Sequence, residues 1–271
     1  LTKRAPATCT EDGYDLYTCA KCGAVEHRNE VAAFGHKMNA GEVVIKPTAT
    51  TSGVRVYTCS VCGETKAETI PATGLPSVCP GGPTCPGYAF RDMPAPDSWA
   101  HAGLDYCIYN GYINGLSATT VDPSGTCTRA QLVCILYRIQ GEPKVVEGYE
   151  LDKLRAPFDD VPRGQWYTNA ILWAKLTRIV NGTSATTFDP AAEISRQDMA
   201  VMLYSYTQRF QVHLQQQPVT PFTDAGSIAA YAQVAVQTLH RAGVISGMPD
   251  GSFQPYGTAT REQACTMLCM L

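Results

Sequence analysis

The chain has little net charge, no long apolar run and no catalytic signature, and each absence removes a class of function. Lys and Arg total 21 against 24 Asp and Glu over 271 residues, a net charge of -3. That balance gives no reason to expect nucleic acid or an anionic membrane as partner. No stretch approaches the roughly 18 apolar residues of a membrane span. The five histidines, His27, His36, His101, His213 and His240, are scattered, with no Gly-x-Ser-x-Gly, His-Glu-x-x-His or phosphate loop around them. Asp159 and Asp160 are paired carboxylates, but adjacent side chains point apart, so no glycosidase centre is read and no enzyme is expected. An initiator Met and a signal peptide are also lacking, and the expectation is a processed or truncated piece of something longer.

Apolar residues, by contrast, make up 45% of the chain, and its length suits about two domains. The twelve cysteines are unevenly spread. Cys9, Cys19, Cys22, Cys59, Cys62, Cys79 and Cys85 crowd a polar, Gly/Pro/Thr-rich first third. There "EDGYDLYTCAKCGAVEHRNEVAAFGH" recurs as "TSGVRVYTCSVCGETKAETIPATGL". Each Tyr-Thr-Cys segment reads as a short strand entering a tight turn, with Gly23 or Gly63 at a position suited to positive φ. Such units are too small to bury a core alone.

A second kind of repeat follows the linker "GLPSVCPGGPTCPG". Three units align so that Trp99, Trp166 and Tyr231 coincide, as do Gly115, Gly182 and Gly247, and Pro123, Pro190 and Pro255. Each reads as helix, glycine-ended turn, extended loop with a proline, then a second helix. The second helices start at "TCTRAQ", "EISRQD" and "TATREQ", with Thr128, Ser195 or Thr260 as N-cap and Gln131, Asp198 or Gln263 three residues on. Leu132 with Leu136 and Met199 with Leu203 mark their buried stripes. Two helices cannot close a core, so the three units are expected to pack around a shared pseudo-threefold axis. Each second helix also puts an arginine, Arg129, Arg196 or Arg261, at its first position. The positive end of the helix dipole disfavours a cation there by about a few tenths of a kcal/mol.

Residues 90–271 resemble three S-layer homology repeats, whose pattern is Phe-x-Asp, a later aromatic, Gly-x-x-Asp-Gly-x-Phe-x-Pro, then Thr-Arg-Ala-Glu. "GMPDGSFQPYGTATREQ" fits nearly residue for residue, "GTSATTFDPAAEISRQD" and "GLSATTVDPSGTCTRAQ" more loosely. The resemblance implies a mainly α, pseudo-threefold bundle of helix-loop-helix repeats at 90–141, 158–208 and 222–271, preceded by small Cys-rich β units at 1–40 and 41–75 and a linker at 76–89. It implies noncovalent anchoring of a secreted surface protein to the Gram-positive cell wall or S-layer, through a secondary cell-wall polysaccharide that often carries pyruvate ketals. The partner is then that polysaccharide, linked to peptidoglycan, or else the protein itself and other surface-layer proteins, and no cofactor is required for binding. The groove residues carried over are Asp92, Trp99 and Arg129, then Asp160, Trp166 and Arg196, then Asp224, Tyr231 and Arg261. An arginine beside exposed helix-start N–H groups would meet a carboxylate, and an aromatic would stack on a sugar. Against this stands a plain structural reading, in which each arginine pairs with the Asp after Phe and the tryptophans are core. Val121 replaces the family Phe in the first repeat, so the grooves are not expected to be equivalent, and one pairing Arg196 with Trp166 is favoured. Competing readings are a self-assembling surface-layer or filament protein, and the accessory anchor of a polysaccharide-acting enzyme.

The five later cysteines align with small or apolar residues and read as buried thiols. "TCAKCG" and "TCSVCG" have zinc-knuckle form. A structural zinc is expected either on Cys9, Cys19, Cys22 and His36, the favoured set, or on Cys19, Cys22, Cys59 and Cys62, with a disulfide inside each pair as the alternative. The second repeat lacks counterparts to both Cys9 and His36. Cys79 and Cys85 read as disulfide partners. This first third resembles short Cys-x-x-Cys-Gly repeats in surface proteins of Gram-positive gut bacteria, a resemblance that implies no activity.

Overall fold

A computed structural model describes residues 2–45, 52–70, 81–146 and 148–271, which fall into two units. The N-terminal unit holds two three-stranded antiparallel sheets. Strands β1 (Lys3–Ala5), β2 (Gly13–Thr18) and β3 (Val25–Val31) form the first, and β4 (Glu42–Ile45), β5 (Gly53–Thr58) and β6 (Thr65–Ile70) the second. In each, the central strand runs into a Cys-x-x-Cys-Gly turn. The first cysteine's carbonyl accepts from Gly23 at 2.9 Å or Gly63 at 3.0 Å, and both glycines sit at φ above 70°. Almost no core forms: β3 is exposed throughout, and Cys9 and Cys59 are the only buried apolar side chains among the unit's described residues.

The described residues of the C-terminal unit form six α-helices: α1 (His101–Tyr109), α2 (Arg129–Ile139), α3 (Thr168–Leu176), α4 (Arg196–Arg209), α5 (Gln233–Arg241) and α6 (Arg261–Cys269). The helices are short and joined by long loops, so "mainly α" overstates the helical share. Thr128 and Thr260 form full capping boxes with Gln131 and Gln263, and the Ser195 side chain accepts from the Asp198 N–H. The first helix of each repeat ends well before Gly115, Gly182 and Gly247. Gly111, Arg178 and Gly243 take the positive-φ position just past it, at 70°, 61° and 72°. Gly115, Gly182 and Gly247 instead leave room for an aromatic ring. A Cβ would stand 2.4 Å from Phe90, 2.6 Å from Phe158 and 2.9 Å from Phe222.

The repeats do not pair their own helices. The second helix of one packs against the first helix of the next, α2 with α3 and α4 with α5, and α6 returns to α1. The extended residues before α2, α4 and α6 meet in a closed ring. Cys127 N–H donates to Ala259 O, Ala259 N–H to Ile194 O and Ile194 N–H to Cys127 O, each at 2.9 Å. This is the pseudo-threefold closure expected of units that cannot bury a core alone. One apolar cluster runs through all three repeats, from Leu104 and Leu132 to Phe188, Leu203, Leu239 and Phe253.

Candidate functional site

Each N-terminal arginine of a second helix crosses to the next repeat. Arg129 Nε donates to Phe188 O at 2.8 Å, Arg196 Nε to Phe253 O at 2.7 Å, and Arg261 Nε to Val121 O at 2.8 Å. Two guanidinium groups also lie over the aromatic rings they reach, 4.7 Å from the Phe188 centroid and 5.1 Å from that of Phe253. Val121 offers Arg261 no ring, a consequence of the first repeat's departure from the family pattern. All three arginines are buried.

The helix-start amides are occupied as well. The N–H of Arg129, Arg196 and Arg261 donates to Ala192, Gly257 and Gly125 of the next repeat, each at 2.9 Å. The following N–H donates to Pro190, Pro255 or Pro123. The expectation of free backbone donors for a carboxylate is therefore corrected, because the neighbouring loop already fills that position.

The repeated aspartates brace the same loops from the other side. Asp92 accepts from Val121 and Asp122, Asp160 from Phe188 and Asp189, and Asp224 from Phe253 and Gln254, at 2.6–3.2 Å. The second residue of each pair sits at φ 53–59°, a strained backbone that two carboxylate contacts help to hold. The pairing of each arginine with such an aspartate is not found. Both grip one peptide, through opposite ends.

Trp99, Trp166 and Tyr231 are about equally exposed, at 60%, 63% and 61%, which removes the reading of the tryptophans as core. A cavity of about 470 Å³ brings Trp99 together with Arg196, Ser246, Gly247, Met248 and Gln263. It thus draws on all three repeats: the aromatic of the first, the arginine of the second and the loop and last helix of the third. The favoured grouping of Arg196 with Trp166 is corrected accordingly. Trp166 lines a different cavity of about 360 Å³ with Tyr137, Arg138, Asp152 and Arg163, and none of the three helix-start arginines lines it. Reading along the chain groups residues by repeat, whereas the helices pack between repeats.

The grooves differ in charge. Arg196 Nε donates to Phe253 O and Nη2, at 3.5 Å, to Ser246 O, while Nη1 makes no hydrogen bond among the described residues. No polar side-chain atom among the described residues is both sealed and unpaired, so this edge faces the cavity that Arg196 lines. Burial holds its guanidinium below the ordinary arginine value, offset only by the more distant charge of Asp224. Arg129 is lowered by burial too, but Asp198, Asp189 and Asp160 oppose that shift. Asp198 accepts from the Tyr231 hydroxyl at 2.7 Å and occupies the helix position that Gln263 holds beside Trp99. An incoming anion meets a carboxylate near Arg129 and a neutral amide near Arg196.

The N-terminal cysteines fall out differently from expectation. Cys9 and His36 converge on Cys59 and Cys62 of the other sheet, with their ligand atoms within 4.8 Å of one another, and Cys19 and Cys22 lie outside this cluster, exposed. Cys79 lies outside the described residues. Cys85 has its Sγ 3.2 Å from both carboxylate oxygens of Asp105 and 3.5 Å from His101 Nε2, a buried group that sequence reading passed over. The signal for it was a His and an Asp one helical turn apart, 16 and 20 residues after a cysteine. Cys107, Cys127, Cys134, Cys265 and Cys269 are all buried.

Residues 89–133, 157–200 and 221–265 each match the S-layer homology domain, so the C-terminal unit carries three such domains. The Cys-rich repeats lie outside these matches. The chain is 27% identical over 64% of its length to an amylopullulanase of Thermoanaerobacterium thermosulfurigenes, covering 9% of that protein. It is 27% identical over 70% of its length to exoglucanase XynX of Acetivibrio thermocellus, covering 17%. It is 24% identical over 68% of its length to S-layer protein EA1 of Bacillus anthracis, covering 20%. The chain thus spans a fifth or less of each of these relatives. No helix among the described residues is long and apolar enough to cross a membrane.

Proposed function

We propose that the C-terminal unit is a noncatalytic module that holds a surface protein to the Gram-positive cell wall by binding a secondary wall polysaccharide bearing pyruvate ketals. The observation that carries this is the Trp99 cavity, where a buried guanidinium has one edge unengaged, no carboxylate in hydrogen-bond contact and an exposed indole beside it. A pyruvate carboxylate would take the free edge of Arg196 in a charge-assisted contact, and the sugar ring would stack on Trp99. The named relatives support this level of reading: two are polysaccharide-acting enzymes by name and one is an S-layer protein, and this chain aligns with only a small part of each. A surface-exposed location follows from the same reading.

The test is a pull-down on purified wall polysaccharide before and after mild acid removal of pyruvate. Binding lost with the pyruvate is the expected result, and binding that survives the treatment overturns the carboxylate contact. Concentration-dependent light scattering without polysaccharide would point instead to self-assembly, the reading that the match to an S-layer protein keeps in view.

A further inference from the structure

We propose that Cys9, His36, Cys59 and Cys62 form a structural metal site of the kind zinc occupies, and that it joins the two N-terminal repeats. Cys9 comes from the loop between β1 and β2 and His36 from the segment after β3. Cys59 and Cys62 come from the turn between β5 and β6. Cys9 Sγ lies 3.9 Å from Cys59 Sγ, and Cys62 Sγ lies 3.3 Å from His36 Nδ1. Two thiolates each about 2.3 Å from one tetrahedral ion stand about 3.8 Å apart, and a thiolate and an imidazole nitrogen slightly less. The separations are those of ligands around an ion, and far longer than a disulfide bond.

The surroundings fit the same assignment. His36 Nε2 is 3.2 Å from a Glu64 carboxylate oxygen, so the imidazole carries its proton on that side and turns the Nδ1 lone pair toward the thiols. The backbones are tied at the same place. Gly35 N–H donates to Cys9 O at 3.1 Å, Ser60 N–H donates to Lys37 O at 2.9 Å, and Met38 bridges to Cys59. Buried aliphatic side chains are missing from the described residues of this unit, so a metal would supply the cohesion that a core supplies elsewhere.

The arrangement also accounts for a pattern that each repeat, taken alone, leaves unexplained. The first repeat donates a Cys and a His forward, and the second receives them on its Cys-x-x-Cys. A receiving repeat needs no Cys9 or His36 of its own, and the second has neither.

A second cluster, carried by different residues, opens the C-terminal unit, and there we infer a further metal centre on Cys85, His101 and Asp105. All three are buried, and the remaining separation, His101 Nε2 to Asp105 Oδ2, is 3.1 Å. His101 Nδ1 lies 2.6 Å from Pro94 O, and because a carbonyl only accepts, the proton sits on Nδ1. Nε2 is then the ring atom turned toward Asp105 and Cys85, and in this buried site a cation would be ligated by all three side chains.

Both sites are tested on the full chain, purified without chelator under reducing conditions, by elemental analysis and by the visible absorption of added cobalt(II). Two metal equivalents are expected. Cys59→Ser should lose one, His36→Cys should keep it while shifting the cobalt spectrum toward the four-thiolate form, and a Cys19→Ser, Cys22→Ser double variant should keep both. Full metal content in Cys59→Ser, loss of metal in the double variant, or a Cys59–Cys62 disulfide in peptide maps overturns the first site. Asp105→Asn retains an acceptor for the Gly87 N–H, 2.9 Å away, and should lose the other equivalent without unfolding the chain. Retention of that equivalent in Asp105→Asn, or a Cys79–Cys85 disulfide, overturns the second site.

Discussion

Arg196 and Asp224 hold the same peptide without touching each other. The Gln254 N–H donates to Asp224 at 2.8 Å, and the Phe253 carbonyl at the other end of that peptide accepts from Arg196 at 2.7 Å. The aspartate belongs to the same repeat as Phe253 and the arginine to the one before it, so one linkage shapes the loop and the other fastens two repeats together. The chain repeats this clamp at Phe188 with Arg129 and Asp160, and at Val121 with Arg261 and Asp92.

Removing either side should therefore cost stability whether or not any ligand is present. Asp224→Ala leaves two loop amides without their acceptor, and a loss of about 1–3 kcal/mol is expected in urea denaturation. Arg196→Ala should cost a similar amount through the orphaned Phe253 carbonyl. Since both act on one peptide, the double variant should lose less than the sum.

Binding is better probed at the exposed aromatics, which carry little of the packing. Trp99→Ala should weaken binding to wall polysaccharide about tenfold or more, equivalent to about 1.4 kcal/mol, with an unchanged melting temperature. Trp166→Ala, in the cavity without a helix-start arginine, should change it little. Titration of both variants with isolated polysaccharide checks this, and the opposite order would relocate the site.

Arg178 is exposed and sits at φ 61°, where the two sister repeats have Gly111 and Gly243. The next residue closes the helix end, Ile179 N–H donating to Ala174 O at 2.8 Å as Val244 N–H does to Leu239 O at 2.9 Å. Arg178→Gly should raise stability by about 1 kcal/mol, because glycine enters this region without the Cβ penalty. Thermal unfolding of the full chain is the measurement.

Asp15 supplies a dependence on pH. The Arg4 guanidinium at 2.8 Å and the Asn29 amide at 3.0 Å hold its carboxyl below the usual carboxylate range. A depressed value in the folded state means that the stabilisation is complete above the unfolded value, about 4, and is lost as the pH falls through the folded one. Hydrogen exchange of the β2 amides should quicken over that acid range. Asp15→Asn should flatten the response, and salt should weaken it because Arg4 is largely exposed.

The local chemistry was legible in residue order. Capping residues start α2, α4 and α6 where the hexapeptides stand, since a helix terminus is settled by side chains three residues apart. The same holds for the Gly23 and Gly63 turns, which need only a short-range hydrogen bond and a residue tolerant of positive φ. The need for three repeats to share one core could also be read, because the apolar stripes were too few for any unit alone.

Partnership across repeats was decided only by the tertiary structure. Sequence register grouped Trp166 with Arg196 and Cys9 with Cys19 and Cys22, because it aligns residues within a repeat. The folded chain places Arg196 beside Trp99 and Cys9 beside Cys59, because each second helix buries its apolar face against the following repeat and the two small sheets meet through their thiols. Burial and closure of a ring act between segments distant in the chain, so residue spacing supplied the parts and packing chose which of them meet.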